Sequence, residues 1–329
     1  MSSVGLVLGA GGMSGSAYST GVLAALADVA GWDARDAGVI VGTSAGAGLG
    51  ATLRAGIAPA DHYARNRNLP LSPEAQTLVD RQPPLEVGER QRVDGIPIPA
   101  SPLMIAEGVL GRWPPRPGLA ISGAFPRGTV STESIGARIR AVHPSPWPVE
   151  PLWICSIRLK NGERVVFGRD DIDVPDLGAA VEASSAIPGW FAPVRIGGED
   201  YVDGGGHSST NADVAAGLGF DVVIVIAPMA GSGDPIGDSS RGPLQTLRSF
   251  SSTKKAGRAL SRGFLAQEVA KVRAKGSKTL VFEPTARDIE VLGNNGMDGS
   301  RARAVAEAGY QSAATQLERD GDNVLRHLT

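Results

Sequence analysis

Gly38-Val39-Ile40-Val41-Gly42-Thr43-Ser44-Ala45-Gly46-Ala47-Gly48-Leu49 changes physical character halfway along. Its opening is a short, β-branched apolar run, the composition of a strand buried on both faces. From Ala45 to Ala55 it becomes rich in Ala, Gly and Leu, which suits a helix. Between the two lies G-x-S-x-G, residues 42–46. A serine on a strained strand-to-helix turn needs neighbours without a Cβ, and such a turn presents its hydroxyl to a cleft. Ser44 is therefore a candidate nucleophile. A glycine-rich turn without chemistry is the plainer reading, and the strand and helix on either side favour the nucleophile.

Upstream, Val4-Gly5-Leu6-Val7-Leu8 reads as a strand, followed by the loop Gly9-Ala10-Gly11-Gly12-Met13-Ser14-Gly15 and a helix over residues 16–30. Residues 4–57 thus run strand, glycine loop, helix, strand, tight turn, helix, the order of a parallel sheet with helices on its faces. Consecutive glycines at the mouth of a helix expose N–H groups where the helix dipole also favours negative charge. Two anions fit such a loop, a dinucleotide pyrophosphate or the oxyanion of a tetrahedral intermediate. For a dinucleotide the spacing is imperfect, since Ser14 stands where the third glycine counted from Gly9 would fall, but Asp33 and Asp36 downstream keep that alternative open.

Further along, Asn161-Gly162 marks a hairpin between strands at 152–159 and 164–168, and Gly197-Gly198 marks a second between 193–196 and 201–203. Helices are expected over about 131–142, 175–184, 211–217 and 300–317, with strands at 221–226 and 279–282. The second hairpin ends in Tyr201-Val202-Asp203-Gly204-Gly205-Gly206, a carboxylate followed by residues with no side chain, so that Asp203 can approach a hydroxyl closely; a plain Asp-Gly turn is the other reading. Ala183-Ser184-Ser185-Ala186-Ile187-Pro188 by itself signals tight packing and a helix end.

Composition narrows the class. With 42% hydrophobic residues the chain is not disordered, and 32 basic against 34 acidic side chains argue against an electrostatic nucleic-acid binder. Glycine is counted 44 times in 329 residues, about 13% against an average near 7%. One cysteine, Cys155, and four histidines exclude a disulfide framework and a Cys/His zinc cage, and a reducing, cytoplasmic compartment is the simplest expectation. The apolar N-terminal run is short and lacks a basic leader, so it reads as a strand and not a signal peptide. No apolar run reaches the ~18 residues of a membrane span.

These four segments, in this order, resemble the patatin-like phospholipases, a family of serine acyl hydrolases. Ala10-Gly11-Gly12-Met13-Ser14-Gly15 matches the family's G-G-G-x-R/K-G loop, residues 42–46 its G-x-S-x-G, residues 183–188 its A-S-x-x-x-P block, and Asp203-Gly204-Gly205 its D-G-G/A. The resemblance spans about residues 4–226. It implies a three-layer α/β/α sandwich with a mainly parallel sheet and a nucleophile elbow, a Ser-Asp dyad without histidine, and hydrolysis of acyl esters in phospholipids or lysophospholipids, with no cofactor and no metal. On it, Ser44 is the nucleophile, Asp203 the base, and the amides of Gly11, Gly12 and Met13 the oxyanion hole. Two positions depart from the pattern. Ala10 replaces the loop's first glycine and requires a negative φ there, and Ser14 replaces the usual Arg or Lys, which weakens the case for a phospholipid more than the case for an esterase.

His207 follows Ser44 and Asp203 in the chain order of an α/β-hydrolase triad, but only four residues separate it from Asp203; His62, His143 and His327 have no partner pattern. Twelve of the 23 prolines fall within residues 59–126, which read as an irregular insertion or lid on a single hydrolase domain. Its apolar piece, residues 102–113, either lines an acyl groove, touches a bilayer or anchors the insertion. Residues 248–278 hold nine Lys/Arg and one acid, Glu268, with Lys254, Arg258 and Arg262 four apart, a pattern suited to an anionic membrane surface or to a solvated helix face. The expected partners are a lipid or acyl ester and, peripherally, an anionic membrane; nucleic acid is not expected, because basic and acidic side chains balance over the chain. A catalytically weak membrane-associated module of the same fold is the remaining alternative.

Overall fold

The computed structural model describes residues 3–86, 88, 98–111, 115–231 and 253–324. One eight-stranded sheet organises them. Strands β1 (Val4–Leu8), β2 (Val39–Thr43), β3 (Leu152–Arg158), β4 (Arg164–Phe167), β5 (Val194–Ile196), β6 (Glu199–Asp203), β7 (Val222–Ile226) and β8 (Lys278–Phe282) lie in the order β5-β6-β3-β2-β1-β7-β8, with β4 also on β3. The pairs β3-β2, β2-β1, β1-β7 and β7-β8 are parallel, and both hairpins are antiparallel as their Gly turns require.

Alternation along the central strands explains the layers. Leu6, Leu8, Ile40, Ile224 and Ile226 point into one core, and Val7, Val39, Val41, Val223 and Val225 into another. The first core is covered by α1 (Gly12–Ala30), α2 (Ala45–Arg54), α8 (Leu177–Ser185) and α11 (Ala302–Val324), the second by α9 (Thr253–Ala274) through Leu265, Val269 and Val272. The sheet, with helices on both faces, has the expected α/β/α architecture. Among the described residues no helix is long and apolar enough to cross a membrane.

The proline-rich segment is more regular than its composition suggests. It forms α3 (Pro59–Asn66), α4 (Pro73–Arg81), α5 (Pro102–Leu110) and α6 (Pro117–Ala124), each opening on a proline. At the first helical position the missing N–H has no intrahelical partner to lose, so these prolines start helices instead of breaking them. α3 packs on α1, and its Tyr63 stacks on Tyr310 of α11 at 5.2 Å. α5 and α6 share a small core of Met104 and Leu119 with Ile157, Leu159 and Val202, while Leu103, Leu110 and Ile121 face solvent. Arg112 and Trp113, from the apolar piece at 102–113, lie outside the described residues.

Three element boundaries move. α1 begins at Gly12, within the glycine loop, instead of at residue 16; the helix expected over 211–217 is a short 3-10 turn, Ala212–Ala215; and the last helix runs on to Val324. The helix expected over 131–142 is α7 (Glu133–Arg140). α10 (Ala286–Leu292), closed by a Thr285/Asp288 capping box, completes the fold.

Candidate active site

The register of β3 brings the site together. Cys155 pairs with Thr43 of β2, and the next residue, Ser156, pairs with Asp203 of β6. β4 overlaps both partners on β3, at Ile154, Cys155, Ser156 and Ile157. It therefore takes one edge, and β2 and β6 must lie end to end along the other. The chain leaves β2 at Ser44 and leaves β6 after Asp203, so both residues emerge at one junction.

Ser44 sits at that turn with φ 55° and ψ −121°, a left-handed conformation unusual for a residue with a Cβ. The flanking glycines are obligatory for steric reasons. A Cβ on Gly42 would lie 2.6 Å from the Ala47 Cα, and one on Gly46 2.1 Å from the Leu8 carbonyl oxygen. The Ser44 amide donates to Ser184 Oγ at 2.8 Å, and that hydroxyl donates to the Cys155 carbonyl at 2.7 Å. Ser184 thus clamps the turn to β3, a role the small-residue block did not reveal by itself.

Ser44 and Asp203 are each 6% exposed, and the Ser44 hydroxyl stands close enough to the Asp203 carboxylate to lower its pKa. Burial raises the Asp203 pKa to about 6, against the lowering effect of the nearby Ser44 hydroxyl and of the Gly205 amide, which donates to Oδ1 at 2.7 Å. Desolvation penalises the carboxylate more than two donors stabilise it. The result is a base far better matched to neutral pH than an ordinary aspartate.

The glycine loop closes against this junction. A Cβ on Gly205 would stand 3.6 Å from Ala10 Cβ, and one on Gly46 2.8 Å from the Gly9 carbonyl. Gly9, Ala10, Ser14 and Gly15 spend their amides on Ile226, Ser209, Gly296 and Gly11 carbonyls. Among the described residues no such bond is formed by the amides of Gly11, Gly12 and Met13, the first donors of α1. Gly12 has φ +61°, and a Cβ there would meet the Gly296 carbonyl at 2.5 Å. Ala10 is absent from the residues with positive φ, so its methyl is tolerated. Ser14, in place of a cation, is buried and donates through Oγ to the Asn295 and Asp298 carbonyls, tying the loop to the segment before α11.

Among the described residues no histidine contacts Ser44 or Asp203. His207 Nδ1 lies 3.1 Å from Asn211 Oδ1 and 3.3 Å from Arg116 Nη1, and burial lowers its pKa to about 3. His62 contacts Thr52 Oγ1, His143 contacts the Ala51 carbonyl, and His327 lies outside the described residues. Asn211, fully buried with φ 52°, was not visible in any motif. Its amide nitrogen reaches Thr43 Oγ1 at 3.2 Å and the Ser208 and Gly204 carbonyls at 2.8 and 3.4 Å, joining the two strand ends that carry Ser44 and Asp203.

A cavity of about 360 Å³ opens on Ser44, lined by Gly12 and Met13 of the loop and by apolar Leu49, Ile135, Ile187 and Phe191. Met297 and Ala302, from the C-terminal third, also line it. The basic helix is largely committed to the protein. Arg258 donates to the Pro228 and Ala230 carbonyls, Arg262 and Lys271 pair with Glu283 and Asp213, and Arg273 bonds Thr279. Arg248 and the Lys254 side chain lie outside the described residues.

Two known proteins or families are similar to this chain. The solved structure of VipD from Legionella pneumophila is similar to this chain at 14% identity, covering 97% of this chain and 67% of that one with a TM-score of 0.41. The family model described as patatin-like phospholipase matches residues 6–216, well over half of the chain and every segment that builds the junction. Membership supports lipid acyl hydrolase activity in general terms, and the chain belongs to the patatin-like phospholipase family.

Proposed function

We propose that this protein hydrolyses lipid acyl esters through a covalent acyl-enzyme on Ser44, with Asp203 as the general base, within one hydrolase domain. The observation that carries the reading is the strand junction that sets the Ser44 hydroxyl beside the buried Asp203 carboxylate, whose pKa is raised to about 6. Oγ attacks the ester carbonyl while its proton passes to Asp203. The tetrahedral oxyanion then takes the free amides of Gly11, Gly12 and Met13; losing one such donor typically costs about 10²- to 10³-fold in rate. The Ser44 amide is bound to Ser184 and is not among them. Collapse expels the alcohol, which receives the proton held on Asp203. Water attacks the acyl-enzyme by the reverse of this path, giving up a proton to Asp203, and collapse releases the fatty acid and returns that proton to Ser44.

The test is covalent labelling by a fluorophosphonate together with turnover of p-nitrophenyl esters. Wild type is expected to label and turn over, Ser44→Ala to do neither, and Asp203→Asn to lose at least about 10³-fold in kcat, an effect within the range of a removed base in a nucleophile-base pair. Labelling that survives in Ser44→Ala refutes the assignment.

A further inference from the structure

The Ser44 cavity follows α2. Ser44, Gly48 and Thr52 lie on one face of that helix and all line the cavity, which spans about 12 Å along the axis at 1.5 Å per residue. At Thr52 it meets α3 through His62, and one turn further along α3 stands Arg65. Arg138, on α7, also lines the cavity. The two guanidiniums share one acceptor: Arg65 Nη1 lies 3.2 Å and Arg138 Nη2 2.7 Å from Gln82 Oε1, and Arg138 also donates to the Pro83 carbonyl.

Two positive charges converging on a neutral amide oxygen are unusual. Among the described residues neither forms an ion pair, whereas Arg140 pairs with Asp176 and Glu182 and Arg164 with Asp213. No carboxylate offsets the desolvation of Arg65, and Arg138 is disfavoured further by Arg65 itself. Such a pair is unfavourable on its own and is relieved by an anion that accepts from both forks. His62 beside it is held neutral, its pKa lowered to about 4 by burial, and supplies no competing charge. The cavity wall near Ser44 is apolar, and a volume of about 360 Å³ is at the small end of ligand pockets, which run from about 300 to 1,000 Å³.

We propose that Arg65 and Arg138, bridged by Gln82, form an anion site at the end of the cavity remote from Ser44, and that it receives the phosphate or carboxylate end of a single-chain acyl substrate. The inference rests on the hydrolase reading for its substrate but not for its binding chemistry. It also accounts for the missing cation at Ser14: positive charge stands on α3 and α7 instead of in the oxyanion loop.

Isothermal titration calorimetry of the full chain with octyl phosphate, octanoate and octanol at 0.15 M salt tests it. Wild type is expected to bind at least one anion tenfold or more tightly than octanol, and the tighter of the two identifies the end group. Arg65→Gln and Arg138→Gln should each remove most of that preference without weakening octanol, and Arg65→Lys should restore part of it. Arg65→Gln removes only one side-chain hydrogen bond, so it decides the matter if Arg138→Gln does not fold. Anions and octanol binding within threefold of each other, or an arginine variant weakening all three equally, overturns the site. Turnover of p-nitrophenyl octanoate, compared between wild type and Ser44→Ala, separately tests the hydrolase reading: turnover dependent on Ser44 with no anion preference sinks the anion site alone, and anion preference with turnover independent of Ser44 sinks the nucleophile alone.

Discussion

Asp203 couples chemistry and stability in opposite directions. In the proposed mechanism its carboxylate must be ionised to accept a proton from Ser44, so kcat/KM should rise about tenfold per pH unit below about 6 and level off above it. A pH-rate profile with a neutral ester measures this; a limb near pH 4 would show that burial does not control the base. For stability the sign reverses. A folded pKa above the unfolded value means that the native state binds the extra proton, so stability falls as pH rises from about 4 through about 6, by about 3 kcal/mol at 1.36 kcal/mol per unit. Asp203→Asn should therefore melt higher than wild type at pH 7.5 and lose that advantage at pH 4, which thermal denaturation at the two pH values will show. Ser44 and Asp203 stand out in the sequence because each lies in a recognisable motif. Ser184 and Asn211 do not, because their roles depend on strands that meet only after folding. Ser184→Ala would leave the Ser44 amide and the Cys155 carbonyl buried and unpaired, at a cost of about 1–3 kcal/mol for each orphaned group. Its kcat should fall more than its KM changes, since the turn and not the cavity loses its clamp.

At the scale of elements, the elbow and the glycine loop depend on close backbone approach more than on backbone flexibility. Gly46 does not have positive φ, yet a Cβ there would lie 2.1 Å from the Leu8 carbonyl. Gly46→Ala must therefore push α2 away from β1, at about 1–3 kcal/mol or more. It should also reduce fluorophosphonate labelling, and a variant with unchanged melting temperature and labelling would show that the contact is soft. The same elements show where sequence reading stopped. The strand, turn and helix around Ser44 were legible because hydrophobic period and glycine spacing act locally. Helices α3 to α6 are not legible, because proline density does not distinguish a proline at a helix start, where it is neutral, from one inside, where it is disruptive. α1 begins four residues before the sequence signal for a related reason: Gly12 and Ser14 are poor helix formers, and Ser14 is held in the first turn by Gly296, Asn295 and Asp298 from far along the chain.

At the scale of the whole molecule, the matched segment, residues 6–216, is smaller than the folding unit. β1 lies at the centre of the sheet, and its partner on one side, β7, begins at Val222. Beyond β7 come β8, the helix that covers the second core, and α11, whose Val305, Ala306, Ala313 and Leu317 are buried in the first core against α1. A fragment ending at residue 216 would turn β1 into an edge with its amides and carbonyls unpaired, expose Leu6, Val7 and Leu8 together with the buried face of α1, and free the glycine loop from Gly296. Each exposed Leu or Val costs about 1.5–3 kcal/mol, so the loss far exceeds the 5–15 kcal/mol by which a domain of ordinary stability is folded. The fragment should accordingly lack a cooperative calorimetric transition and near-ultraviolet circular dichroism, and should not label with fluorophosphonate even though it contains Ser44, Asp203 and the whole glycine loop. A fragment that unfolds cooperatively and labels would show that β7 and α11 are accessories to the site; its failure beside an active full chain would place the C-terminal third among the parts that build it.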